Sequence, residues 1–187
     1  EISACLVGSE MCIRDSIIGD EEEGGGSSEG LREGDFSYYK LEEGGVVVTH
    51  YYGDGGNVQI PATIAGEPVK TLHKTFSLCA NVTGVTIPDS VTSIEGDTFL
   101  KCTNLTSVII PDSVENIDSR AFGACGITSI TIPAGVNRIS NRAFLKCSKL
   151  TEIAVSPDNQ TYTSEDGVLY NNCLLYTSPS PRDRQKS

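Results

Sequence analysis

Four phenylalanines, Phe76, Phe99, Phe122 and Phe144, recur at intervals of 23, 23 and 22 residues, and each is followed three residues later by a cysteine, Cys79, Cys102, Cys125 and Cys147. Ahead of the rings come Val69 and Leu72, Val91 and Ile94, Val114 and Ile117, and Val136 and Ile139. After the cysteines come Val85-Thr86-Ile87-Pro88, Val108-Ile109-Ile110-Pro111, Ile130-Thr131-Ile132-Pro133 and Ile153-Ala154-Val155. A fixed period in this range marks a solenoid whose units are single supersecondary elements stacked on their neighbours. A lone unit of this size cannot bury enough apolar surface to offset the entropy of ordering its backbone, so the units must stack.

Within a unit, Leu105-x-x-Val108-x-Ile110 reads as a strand with Leu105, Val108 and Ile110 inward and Ser107 and Ile109 outward, by the two-residue alternation of extended chain. Pro111 ends it, having no N–H for a neighbouring rung. The cysteine column admits a redox or metal reading. Small apolar side chains stacked in a core are favoured instead, because no histidine accompanies the column, no C-x-x-C pair occurs, and parallel side-chain vectors disfavour disulfides between rungs. Two residues before each ring stand Lys74, Asp97, Arg120 and Arg142, an anion between cations that is expected to pair from rung to rung.

The string IPDSVTSIEGDTFLKCTNLTSVIIPDSVENIDSRAFGACGITSITIP resembles the BspA-type leucine-rich repeat. DFSYYKLEEGGVVVTHYYGDGGNVQIPATIAGEPVKTL resembles that family's N-terminal capping segment, and NQTYTSEDGVLYN resembles a unit that leads into further repeats, so the likeness covers about residues 35–172. The resemblance implies a mainly β solenoid, with short helical or 3₁₀ turns, closed by an N-terminal β-hairpin cap. It also implies a surface or secreted protein engaged in adhesion. Independently of the family, Phe36–Leu41 and Val46–Tyr52, separated by Glu42-Glu43-Gly44-Gly45, read as a hairpin that covers the first rung's open edge. Its tyrosines offer an alternative role as a platform for sugar rings. The domain is divided into a cap at 35–68, repeats at 69–155 and the start of a next unit at 156–172.

Two departures from the pattern stand out. The third unit has only Gly126 between Cys125 and Ile127, one residue fewer than the second, and Ser156 delays the proline of the fourth. Both leave the apolar spacing intact. The segment 17–34, with Asp20-Glu21-Glu22-Glu23 and Gly24-Gly25-Gly26, reads as an acidic Gly/Ser linker. Residues 1–16 and 173–187 follow no periodicity and resemble translated sequencing-adapter DNA. They are read as foreign flanks.

With 14 Lys and Arg against 25 Asp and Glu, the formal charge of −11 argues against nucleic acid as a partner. No apolar run reaches the length of a membrane-spanning helix. The two histidines, His50 and His73, belong to no catalytic motif, and GxSxG, HExxH, GxxxxGK[ST] and GxGxxG are all missing. No enzyme, cofactor or metal is expected. Three tripeptides, at Asn81, Asn104 and Asn159, fit the N-glycosylation pattern, whose use would require a eukaryotic secretory origin.

The leading functional expectation is a binding module that meets a protein or glycan surface through its outward strand residues, namely Gly84 and Thr86, Ser107 and Ile109, Ser129 and Thr131, and Glu152 and Ala154. The alternatives are a spacer that projects another domain and, less favoured, a parallel β-helix enzyme acting on polysaccharide. The latter needs charged clusters converging on one face.

Overall fold

A computed structural model describes residues 30–172; the expected flanks at 1–16 and 173–187, and most of the expected linker, lie outside the described residues. The described residues form fifteen short strands: β1 (Leu31–Glu33), β2 (Phe36–Lys40), β3 (Val46–Tyr51), β4 (Gly56–Gln59), β5 (Thr63–Ile64), β6 (Glu67–Leu72), β7 (Val82–Thr86), β8 (Ser93–Ile94), β9 (Ser107–Ile109), β10 (Asn116–Ile117), β11 (Ser129–Ile132), β12 (Arg138–Ile139), β13 (Glu152–Val155), β14 (Tyr162–Glu165) and β15 (Val168–Asn171). They wind into a β-solenoid with two strand-bearing faces. On one, β3, β6, β8, β10 and β12 run parallel, with Leu72, Ile94, Ile117 and Ile139 in register. On the other, β4, β7 and β9 form one parallel ladder and β11 with β13 a second. The corners are turns rather than short helices, and no helix among the described residues is long and apolar enough to cross a membrane.

The third side of each coil carries the rings. Phe76, Phe99 and Phe122 are fully buried, and their ring centroids lie 5.4 and 5.1 Å apart with interplanar angles of 4° and 15°. Phe144 continues the stack at 5.5 Å and 16°, half-buried at the column's end. These spacings slightly exceed the roughly 4.8 Å between paired strands, as offset stacking requires. At the other end Tyr51 and Phe36 of the cap pack on Phe76 with centroids 5.2 and 6.5 Å away, so the hairpin prolongs the aromatic column as well as the sheet.

Wrapping the chain round a ring in so few residues forces left-handed backbone at Lys74, Leu78, Asp97, Lys101, Arg120, Ala124 and Lys146, none of which is glycine. Each such residue costs on the order of 1–2 kcal/mol. Hydrogen bonds between coils hold it there: Phe76 N–H donates to Thr98 (2.8 Å), Leu78 to Leu100 (2.8 Å), Phe99 to Ala121 (2.7 Å) and Lys101 to Gly123 (2.7 Å).

The four cysteines of the repeat column are thiols and do more than fill space. Cys102 Sγ donates to the carbonyl of Phe76 (2.9 Å), Cys125 to that of Phe99 (2.7 Å) and Cys147 to that of Phe122 (2.7 Å). Each therefore ties its coil to the ring residue of the coil before. Beside the rings, Thr75 and Thr98 are fully buried and donate to the carbonyls of Val48 (2.8 Å) and Leu72 (2.9 Å), again one coil back.

Two expectations are corrected here. The linker does not extend to residue 34: Leu31–Glu33 pairs antiparallel with β2, Arg32 lies 4.3 Å over the Tyr52 ring, and Glu33 Oε2 accepts from Ala65 N–H (2.9 Å). A free strand edge on β2 invites such pairing, which charge and glycine content do not reveal. In the charged column only Asp97 and Arg120 meet, at 2.8 Å, while Lys74 and Arg142 form no ion pair among the described residues.

Replacing Phe99, which has a ring on each side, with Ala is expected to cost about 3–5 kcal/mol. The same change at half-buried Phe144 should cost clearly less, as urea denaturation of the two variants would show. Burial, with the nearby Cys147 thiol, pushes the Cys125 thiol up to about 12. The folded state thus keeps its proton where the unfolded chain, with an ordinary thiol near 9, releases it. Stability is expected to be intact below about pH 9 and to fall as pH rises toward 12, less steeply in Cys125→Ala.

Candidate functional site

The strip expected from the repeat is assembled on the β4-β7-β9 and β11-β13 face. Gly84 pairs with Ser107 and Thr86 with Ile109 on the first ladder. Ser129 pairs with Glu152 and Thr131 with Ala154 on the second. Inward neighbours behave as the alternation demands: Val85, Ile130 and Ile132 are buried and Val108 and Ile153 half-buried. Outward, Ser107, Ser129, Thr131 and Glu152 are exposed, Thr86 and Ala154 half-buried, and Ile109 stands 60% exposed.

The structure departs from this expectation at three places. Gly84 is buried and offers no contact surface, because Asn57 of the cap lies over it; a Cβ at Gly84 would sit 2.3 Å from Asn57 Oδ1. Secondly, the strip begins one coil earlier. Asn57 pairs with Gly84 and Gln59 with Thr86, so the cap contributes two exposed polar side chains. The signal was present, since Val58-Gln59-Ile60-Pro61 spells the same strand ending as Val85-Thr86-Ile87-Pro88. Thirdly, the ladder breaks between β9 and β11, beside the shortened rung. Gly126 fits there because its coil closes tightly on the previous one: Gly126 N–H donates to Cys102 (3.0 Å), and a Cβ would stand 2.2 Å from the Thr103 carbonyl. Apolar spacing survives the deletion; the hydrogen-bonded ladder does not.

Nor do the cap tyrosines form a common platform. Tyr38 and Tyr51 are core residues, which leaves Tyr39, 38% exposed, and half-buried Tyr52. His50 lies against Tyr52 with centroids 4.5 Å apart, and burial lowers its pKa by disfavouring the charged ring. His73 stands 3.0 Å from Glu95 on the next coil, in the geometry of an ion pair when protonated. Among the described residues no group of three or more His, Cys, Asp or Glu is placed to hold a metal.

The last segment docks through one buried amide. Asn159 Nδ2 donates to the carbonyls of Pro133 (2.8 Å) and Val136 (2.9 Å), and its Oδ1 accepts from Thr161 and Tyr162 N–H at 2.9 and 2.7 Å. Tyr162 Oη in turn accepts from Ile139 N–H (2.8 Å). All four hydrogen-bonding positions of Asn159 are used, so of the three glycosylation tripeptides this one is closed to modification in the fold. The hairpin that follows turns at Asp166 and Gly167, both left-handed, as a two-residue hairpin turn requires.

With the solenoid, its ring column and its coil-to-coil bonds established, likeness to known proteins becomes informative. Six copies of the BspA type leucine rich repeat region match residues 70–181. The chain belongs to the BspA-type leucine-rich-repeat family. The BspA-type match passes beyond the described residues into the segment read from sequence as a foreign flank. Among solved structures, a leucine-rich repeat protein from Bacteroides capillosus is 26% identical, with a TM-score of 0.59 over 69% of this chain and 99% of that one. One from Bacteroides ovatus is 28% identical, with a TM-score of 0.51 over 67% of this chain and 40% of that one. A leucine rich cell surface protein from Faecalibacterium prausnitzii shares the fold at 23% identity and a TM-score of 0.51 over 78% of this chain; the chain spans 59% of its length. No curated protein matches.

Two glycines on this face separate rigid from adaptable contacts. Gly126→Ala drives a methyl into backbone and is expected to destabilise by about 1–3 kcal/mol or more. Gly84→Ala meets only the end of the Asn57 side chain and should cost distinctly less, as parallel thermal melts would reveal.

Proposed function

We propose that this chain is a non-catalytic recognition module of a surface or secreted protein, and that it meets a protein or glycan surface with the β4-β7-β9 and β11-β13 face. The observation that carries this reading is Ile109. A large aliphatic side chain 60% exposed on a sheet face gains nothing from folding, and covering it with a partner would add about 1.5–3 kcal/mol at most. Beside it on the paired strand stands Thr86, with Gln59 one strand further and Ser107 two residues earlier on its own strand, uncharged polar side chains of the kind that form a rim round an apolar centre. Rigid coils hold these side chains at fixed spacing, so binding spends little conformational entropy. Membership of the BspA-type family and the fold shared with the Faecalibacterium cell surface protein support a surface location.

The test is an array of extracellular-matrix proteins and glycans probed with the wild type and with Ile109→Asp, the fold of the variant being checked by circular dichroism. A ligand retained by the wild type should bind the variant at least about tenfold more weakly, as for a residue at the centre of an interface. Equal retention would place recognition elsewhere on the coil. An array on which the wild type retains nothing would favour the spacer reading.

A further inference from the structure

The two strand-bearing faces do not begin together. β3 and β4 belong to one coil, since they pair with β6 and β7 of the next. On the first face β2 and β1 continue the sheet two strands beyond β3, whereas on the other the ladder begins at β4. One edge of β4 is bonded to the next coil: Gly56 N–H donates to Asn81 (2.9 Å) and Ile60 N–H to Thr86 (3.1 Å). Backbone groups alternate in direction along a strand, so Asn57 and Gln59 carry their N–H and C=O groups on the opposite edge. No described strand pairs with that edge, and both residues are exposed.

Other ends of the solenoid are guarded. At the far end Tyr162 Oη accepts from Ile139 N–H of β12 (2.8 Å), and the Gly167 carbonyl accepts from Ile153 N–H of β13 (3.0 Å). The outermost cap strand, β1, is three residues long and bears Arg32 and Glu33, charges of the kind that deter strand addition. Gly56-Asn57-Val58-Gln59 carries no charge. An apolar contact waits nearby on the overhanging cap. Leu31 stands opposite Tyr38, whose ring lies in the core, and cross-strand partners point to the same side. Leu31 is nevertheless 50% exposed, since the ladder of the other face stops short of it.

We propose that β4 receives one extended segment of a partner protein by strand addition, an uncharged segment with an apolar side chain at every second residue. Its backbone bonds to Asn57 and Gln59, and its inward side chains face the overhang that ends in Leu31. A second copy of this chain does not fit the same place. Edge-to-edge pairing of two β4 strands would drive each overhanging β1-β2 pair into the first coil of the other copy. A single extended strand has no such bulk. The edge adjoins the Ile109 face without depending on it.

The probe is the neutral peptide acetyl-Thr-Val-Thr-Val-Thr-Val-amide, titrated into the isotope-labelled chain and followed by amide NMR. Signals of Asn57 and Gln59 are expected to shift, alike at low and high salt. Gln59→Pro removes a donor from the free edge while sparing the bonds to β7, and should weaken binding about fivefold, the worth of one hydrogen bond. Leu31→Ser should weaken it by a similar factor, and Ile109→Asp not at all. Of two further peptides, N-methylated on every Val or on every Thr, one should bind and the other fail, because alternate N–H groups face β4. No shift at Asn57 and Gln59 with millimolar peptide, indifference to Gln59→Pro, or equal binding of both methylated peptides would overturn the assignment. So would slow hydrogen exchange of these two amides in the free chain, which would mean that the edge is already paired.

Discussion

Ring-on-ring stacking at the pitch of the coil is the constraint on which the rest of this molecule depends. Three wholly buried phenylalanines with centroids 5.1 to 5.5 Å from the next ring leave each coil almost no freedom to slide or rotate on its neighbour. The thiols act at the same place. By donating to the carbonyl of the ring residue one coil back, Cys102, Cys125 and Cys147 add a second donor to acceptors that already take the backbone N–H of Cys79, Cys102 and Cys125. A hydrophobic column and a hydrogen-bonded column thus share one backbone turn. The strained left-handed residues on either side of Phe76, Phe99 and Phe122 persist because both columns over-determine them.

Locking the pitch also explains how surface features arise on a regular coil. Every position of the repeat becomes a line of side chains at about the strand spacing. Changing one residue type along such a line writes a local feature on an otherwise regular face. Ile109 among Thr86 and Thr131 is one such feature, and Asp97 between Lys74 and Arg120 is another. The two lie on different sides of the coil, one on a strand ladder and the other on the turn that leads to the rings, so each can vary without disturbing the other.

Departures from the repeat are tolerated where they spare the rings. Losing one residue at Gly126 interrupts the ladder between β9 and β11, yet Ile127, Ile130 and Ile132 remain buried. At the far end, Asn159 substitutes side-chain hydrogen bonds for the strand ladder and satisfies four backbone groups at once. Burial of a polar side chain is acceptable there because every one of its donors and acceptors is used.

The solenoid, the inward and outward alternation, the buried phenylalanine column and the hairpin cap were all legible in the sequence, because each follows from a repeated spacing of apolar residues, and spacing is a one-dimensional property. Tertiary structure alone decided what depends on the distance between coils. It decided that Asn57 closes over Gly84, that Leu31–Glu33 adds a strand, that the cysteines serve as donors, and that only one pair in the charged column meets. Non-glycine residues in left-handed turns have no signature in composition or periodicity. They exist because neighbouring coils approach to within hydrogen-bond distance, and that approach is set by the packing of rings which the chain order places 22 or 23 residues apart.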